Sequence, residues 1–239
     1  MIYPRIIAHR CGGALTPENT LAGLRLAARL GCHGVEFDAM LAADGVPVLI
    51  HDETLERTTS GRGRVANTDS ARLAELDAGS RHHAAFAVEP LPTLDAALQL
   101  CAALGLWANV EIKPSAGQEA ETGRVVARHA AAATGKLLLS SFSAEALRIA
   151  ASEAPQLPRA LLVEAIPADW SERMAEAGAL ALHSSARKLS AEAAQAVLSA
   201  GVPLRCYTVN RREDAARLFA MGVSAVFTDR PDLWPASEM

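Results

Sequence analysis

Eight short apolar runs alternate with helix-like runs along these 239 residues, and the alternation predicts an α/β chain folded as a TIM (β/α)8 barrel. Three observations carry that expectation. The first is a recurring unit: a helical run, a glycine, then a short apolar strand. It stands in LAARLGCHGVEF, LCAALGLWANVEI, MAEAGALALH, VLSAGVPLRCYTV and LFAMGVSAVFT. Glycine just past a helix takes the left-handed conformation without a Cβ clash and so marks the helix end. The second is composition. Half of the residues are apolar, enough for a sizeable core, and aromatics are only 4%, so alanine-rich helices can pack closely on a sheet. The third is the first strand–helix turn, HRCGGALTPEN, which lacks the glycine fingerprint expected of an open, doubly wound sheet.

The elements follow in order. The first strand is RIIAH, 5–9, and Thr16 with Pro17 reads as the cap and first turn of the helix after it. VEFDA, 35–39, is the second strand. The others are ANVEI (108–112), LLLSS (137–141), RALLV (159–163), ALALH (179–183), LRCYTV (204–209) and AVFTD (225–229). Thr93, Ser143 and Ser190 are placed to cap three further helices. Residues 1–239 read as one barrel domain.

VPVLIH looks like a ninth strand, but it follows VEFDA too closely for a parallel crossover and must return antiparallel. Asp44-Gly45 then reads as a two-residue type I′ turn. That register sets His51 opposite Asp38, about 5 Å apart at Cβ, with Glu36 on the same face. A slip of one residue would send His51 to the other side. Residues 52–92, polar and irregular, read as an insertion capping the barrel mouth.

Composition also excludes functions. A net charge of −4 and the lack of a basic stripe argue against nucleic-acid binding; Arg62 and Arg64 stand alone in a glycine-containing loop. Cys11, Cys32, Cys101 and Cys206 are scattered, with no CxxC pair, as in reduced cytosolic proteins. No signal-peptide pattern and no membrane-length apolar run are present, so the expectation is a cytoplasmic protein without stable membrane insertion.

Barrel active sites sit at the C-terminal ends of the strands. Those ends carry His9 and Arg10, Glu36 and Asp38, Glu111 and Lys113, Ser140 to Phe142, His183, Tyr207 and Asp229. The hairpin adds His51. Three carboxylates gathered in one mouth repel one another unless a hard divalent cation, Mg²⁺ or Ca²⁺, lies between them. Arg10 and Lys113 suit a phosphate, and two histidines suit general acid and base roles. Together they describe phosphodiester hydrolysis. Several neighbours have plainer readings beside functional ones. His183 is a structural or a pocket residue. Glu18 is a favourable charge at a helix start or a partner for Arg10. His33, His82, His83 and His129 read as surface or loop residues, and Asp44 as a turn residue.

In order, the chain contains HR-x-G-G, PENT, EFDA, DG-x-PV-x-x-HD, LERTT-x-G, ELDAGS, LPTL, NVEIKP, LLSSF, YTVN and FTDRPD. This series, spanning nearly the whole chain, resembles the glycerophosphodiester phosphodiesterase family, above all its short bacterial cytosolic members. The resemblance implies metal ligands at Glu36, Asp38 and Glu111, and acid–base histidines at His9 and His51. It implies phosphate contacts from Arg10 and Lys113, pocket walls at Phe142 and Tyr207, and one divalent cation as cofactor. The implied substrate is a small-molecule glycerophosphodiester, such as glycerophosphocholine or glycerophosphoethanolamine, cleaved to glycerol 3-phosphate and an alcohol. Two residues depart from the pattern: Cys11 replaces the usual glycine of HRG, and Tyr207 stands where many members carry tryptophan. Two other readings share these residues. One is a phospholipase-type phosphodiesterase on intact lipids, which calls for an apolar rim or amphipathic helix that the sequence lacks. The other is a non-catalytic barrel binding a phosphorylated metabolite, which would tolerate loss of site residues that are all present.

Overall fold

A computed structural model describes residues 3–238. Nine strands run in chain order: β1 (Ile6–Ala8), β2 (Gly34–Leu41), β3 (Pro47–Leu49), β4 (Trp107–Ile112), β5 (Leu137–Ser141), β6 (Arg159–Val163), β7 (Ala181–Ser185), β8 (Leu204–Tyr207) and β9 (Ala225–Thr228). Eight of them are parallel neighbours in the order β1-β2-β4-β5-β6-β7-β8-β9, and β9 pairs back onto β1. The expected TIM barrel is therefore closed. β3 lies outside the ring, antiparallel to β2.

The helices are α1 (Leu21–Arg29), the single turn α2 (Ser70–Leu73), α3 (Leu94–Leu104), α4 (Glu119–Ala132), α5 (Ala144–Glu153), α6 (Trp170–Ala177), α7 (Ala191–Ser199) and α8 (Arg212–Ala220). Thr93, Ser143 and Ser190 cap α3, α5 and α7, each accepting from a backbone N–H one turn in. Thr16 does not cap α1. Thr20 does so instead, accepting from Gly23 N, and α1 starts four residues after Pro17. Gly105 and Gly178 end α3 and α6 at φ of 70° and 59°, where a Cβ would be strained. Six of the eight barrel-strand ranges also shift at one or both ends. The sixth barrel strand begins at Ala181 rather than 179, with Leu180 exposed at its start, and the seventh stops at Tyr207.

Side chains alternate along each strand, and this builds the floor under the site. Ile7, Trp107, Leu138, Ala181 and Phe227 belong to one buried apolar cluster. Two residues later on the same strand faces come His9, Asn109, Ser140, His183 and Asp229. The opposite strand faces, with Val35, Phe37, Val110, Ile112 and Leu139, pack against the helices in a larger cluster.

The hairpin differs from the expected one by a single residue. Ala39 pairs with Leu49 and Leu41 with Pro47, and Ile50 N donates to Asp38 O at 3.2 Å. Ile50, not His51, therefore opposes Asp38. The loop is three residues, 43–45, with Gly45 at φ 80° in the left-handed region, the three-residue hairpin geometry in place of a type I′ pair. Met40, Ala42, Val48 and Ile50 then join Leu55, Val65, Leu73, Leu76, Ala78 and Leu91 in a separate core within the segment after the hairpin. No helix among the described residues is long and apolar enough to cross a membrane.

Candidate active site

One cavity of about 220 Å³ opens at the C-terminal ends of the strands. Its lining includes all nine residues picked out from the sequence: His9, Arg10, Glu36, Asp38, His51, Glu111, Lys113, Phe142 and Tyr207. His51 arrives there by a route the hairpin register does not supply. Strand pairing ends at Leu49, and the chain turns beyond Ile50 to bring the imidazole to the mouth.

Glu36, Asp38 and Glu111 come from β2 and β4, in which Asp38 and Glu111 are direct parallel partners. All three are buried, and each offers a carboxylate oxygen within 4.8 Å of the others. Glu36 Oε1 has no hydrogen-bond donor among the described residues, and Glu111 Oε1 has the Lys113 ammonium at 3.3 Å. Burial and then the Asp38 charge push the Glu36 carboxyl up to about 7 and that of Glu111 up to about 8. Asp38 goes the other way. Burial works against its ionisation, but Lys113, His51, Arg10 and the Asn19 amide outweigh it. One carboxylate held in its ionised form beside two that resist ionisation, with Glu36 Oε1 left without a donor, is an arrangement a hard cation completes.

That electrostatic conflict makes a stability prediction. Between the ordinary carboxyl value of 4.5 and the raised values near 7 and 8, the folded chain binds more protons than the unfolded one. Metal-free stability therefore falls as pH rises through that window. His9, also raised, adds to the slope, and His51 and the buried His183, both lowered, oppose it. The melting temperature in EDTA is expected to be lower at pH 8 than at pH 6. Added Mg²⁺ or Ca²⁺ is expected to raise it more at pH 8. A metal-free melting temperature that climbs over this range contradicts the carboxylate conflict.

Each histidine leans on an aspartate. His9 Nδ1 lies 2.7 Å from Asp229 Oδ1, and His51 Nδ1 lies 2.6 Å from Asp52 Oδ1. An ionised carboxylate only accepts, so each Nδ1 carries the proton and each Nε2 is left without one in the neutral ring. Burial pushes the His9 imidazolium down, but the Asp229 hydrogen bond and the Glu36 charge more than offset it, and His9 is raised. For His51, burial with Lys113 and Arg10 outweighs Asp38 and Asp52, and it is lowered.

Arg10 and Cys11 both sit in the left-handed region, at φ 50° and 75°. The turn thus keeps a glycine-like torsion without glycine, at a cost of about 1–2 kcal/mol per residue. Room for the Cys11 side chain comes from Gly23 on α1: a Cβ there would lie 2.8 Å from Cys11 Cβ. The torsion directs Arg10 N–H onto Glu36 Oε2 at 2.9 Å and Cys11 N–H onto Glu36 O at 2.7 Å. Lys113 Nζ stands 3.5 Å from Asp38 Oδ1. Phe142, 47% exposed at the rim, meets Tyr207 edge-on at 6.0 Å, and Tyr207 Oη donates to Val163 O at 2.8 Å.

Several contributors were missed or left open by sequence reasoning. Asp229 buttresses His9 and receives a hydrogen bond from Asn210 Nδ2. Asn19, from PENT, grips Asp38 twice, at its side chain and its backbone. Glu18 accepts from Arg10 Nη1 at 2.9 Å, which favours the partner reading over the helix-start one. Asp52 could have been read from the adjacent His-Asp pair; Asp229 stood out only as a strand-end residue, and its pairing with His9, far away in sequence, carried no local signal. Asn109 and His183 line the cavity floor, and His183 Nε2 is bonded to the buried Arg205. The four histidines read as peripheral lie outside this cavity.

A parallel barrel with a carboxylate trio, two cationic side chains and two aspartate-backed histidines in its mouth defines a phosphodiesterase-type hydrolase site. Residues 9–233 match the Glycerophosphoryl diester phosphodiesterase family, and the chain belongs to it. It is 32% identical over 231 residues to a glycerophosphodiester phosphodiesterase of Caldanaerobacter subterraneus subsp. tengcongensis, covering 95% of this chain and 94% of that one. A glycerophosphodiester phosphodiesterase of Bacillus subtilis is 29% identical, covering 95% of this chain and 84% of its own. Among solved structures, an Oleispira antarctica phosphodiesterase in complex with the product sn-glycerol-3-phosphate superposes with a TM-score of 0.93. It is 36% identical, over 96% of this chain and 94% of that one. The sequence-based expectation of a glycerophosphodiester phosphodiesterase is borne out at the level of family and fold.

Proposed function

We propose that the chain hydrolyses small, soluble glycerophosphodiesters, such as glycerophosphocholine and glycerophosphoethanolamine, to glycerol 3-phosphate and the free alcohol. One observation carries this reading: the buried Glu36, Asp38 and Glu111 oxygens lie in the same cavity as Arg10, Lys113 and both histidines. The product complex of the Oleispira relative supports the glycerol 3-phosphate half of the substrate. Glu36, Asp38 and Glu111 are the residues that would hold one divalent cation, and their oxygen donors suit Mg²⁺ or Ca²⁺. When bound, such an ion neutralises the carboxylates and stabilises negative charge on a phosphoryl oxygen.

The remaining work falls to side chains. Arg10 offers a planar fork to the phosphate and Lys113 a point charge. His9 and His51 act through Nε2: one takes the proton of the attacking hydroxyl, and the other gives a proton to the departing alkoxide. Their opposed shifts, His9 up and His51 down, separate the two imidazoles in the direction that a division into acid and base needs. Phe142 and Tyr207 wall the alcohol side, and residues 52–92 cap the mouth. Four buried free cysteines suit a reducing compartment, and we place the protein in the cytoplasm.

Two substrates of matched headgroup test the reading. Release of ethanolamine from glycerophosphoethanolamine should exceed release of phosphoethanolamine or ethanolamine from phosphatidylethanolamine vesicles. Faster turnover on the vesicles would favour an enzyme of intact lipids.

A further inference from the structure

Arg57 follows the hairpin and, with Glu18, lines a separate hollow rather than the cavity itself; its side chain is half-exposed and makes no ion pair with the carboxylate trio among the described residues. Its guanidinium is divided between two carboxylates. Nη1 and Nη2 donate to Glu18 at 2.7 and 2.8 Å, and Nε and Nη2 donate to Asp52 at 2.5 and 3.0 Å. Glu18 is the carboxylate that holds Arg10, and Asp52 is the one that holds His51. An unbroken chain thus runs Arg10–Glu18–Arg57–Asp52–His51, and its two end residues line the cavity. Only a planar fork can grip two carboxylates along two edges at once.

His51 depends on such support more than His9 does. His9 directly follows β1, and its backbone N–H is bonded to Thr228 O on β9. His51 lies two residues beyond the end of β3, outside any strand pairing. We propose that Arg57 is a positioning residue that locks together the two carboxylates holding Arg10 and His51, fixing the imidazole relative to the phosphate-binding guanidinium. This rests on the roles given to Arg10 and His51 above.

Exposed ion pairs add little to stability, so the two kinds of loss separate. In Arg57→Met, kcat/KM on glycerophosphoethanolamine is expected to fall by about tenfold to a hundredfold, the range for a lost supporting partner. The melting temperature should stay within a few degrees of wild type. Arg57→Lys should recover only part of the loss. Asp52→Asn and the double variant Arg57→Met/Asp52→Asn should differ by less than about threefold, because both changes break one link. A second readout needs no turnover. The ¹⁵N spectrum of the imidazoles should show His51 with its proton on Nδ1 in wild type and as a tautomer mixture in Arg57→Met. Wild-type kcat/KM in Arg57→Met, losses that multiply in the double variant, or an unchanged His51 tautomer would overturn the proposal. A wild-type enzyme inactive on every diester, with the tautomer change still seen, would instead overturn the functional reading and leave the positioning role standing.

Discussion

Glu111→Gln is expected to lower glycerol 3-phosphate formation from glycerophosphoethanolamine by about a thousandfold, and no concentration of Mg²⁺ or Ca²⁺ should restore it. The expectation follows from the trio. Glu111 is the only one of the three supplied by β4, so its loss opens one whole side of the oxygen cage. Electrostatic stabilisation by a bound ion is worth several kcal/mol, and each 1.4 kcal/mol is a factor of ten. Glutamine keeps the size of the side chain and removes its charge. The buried conflict with Asp38 disappears with it, so the variant should fold as well as the metal-free wild type, or better. Calorimetric titration with Mg²⁺ or Ca²⁺ separates this account from a folding defect: a well-folded variant that has lost metal binding fits. One that binds metal as tightly as wild type would remove Glu111 from the ligand set.

His51→Gln and His9→Gln are each expected to cost about 10²–10⁴ in kcat on glycerophosphoethanolamine, the usual worth of a positioned acid or base. They should differ when the alcohol is exchanged for p-nitrophenol, which leaves without a proton. Only the variant lacking the general acid is rescued by that leaving group, while the one lacking the base stays slow. Rescue of both or of neither would mean that the two imidazoles do not divide the proton transfers. His33→Gln is the natural control, since His33 is exposed before β2 and lines no part of this cavity.

The barrel was legible in the sequence because its signals are local. Glycines close the helices, hydroxyl residues open them, and apolar runs mark the strands; Thr93, Ser143 and Ser190 needed nothing beyond their own turn of helix. Thr16 misled because a Thr-Pro pair resembles a helix start even when a loop follows; the residue that caps, Thr20, lies just beyond it. The hairpin slipped because Asp44-Gly45 is compatible with two loop lengths. The apolar partners that select between them, Leu55, Val65, Leu73 and Leu91, lie further along the chain, in the segment after the hairpin. Had β3 continued through His51, that slip would have turned the imidazole away from the carboxylates. It does not, since the chain leaves the sheet first.

Site residues were readable where strand ends and motifs coincide, as at Glu36, Asp38, Glu111 and Lys113. Their supports were less so. The contacts of Asp229 with His9 and of Glu18 with Arg57 join residues far apart in sequence, and no spacing rule reports a closure of that kind. Cys11 is the instructive departure. It stands where the resemblance has glycine, yet the left-handed torsion is kept and its side chain is accommodated at Gly23, on another element.

Glycerol 3-phosphate release from glycerophosphoethanolamine by the wild-type protein, measured after stripping with EDTA and again after adding Mg²⁺ or Ca²⁺, tests the central claim most directly. Turnover should vanish with the metal and return with it. Full turnover in EDTA, with the protein shown free of metal, would contradict the carboxylate trio as a catalytic metal site.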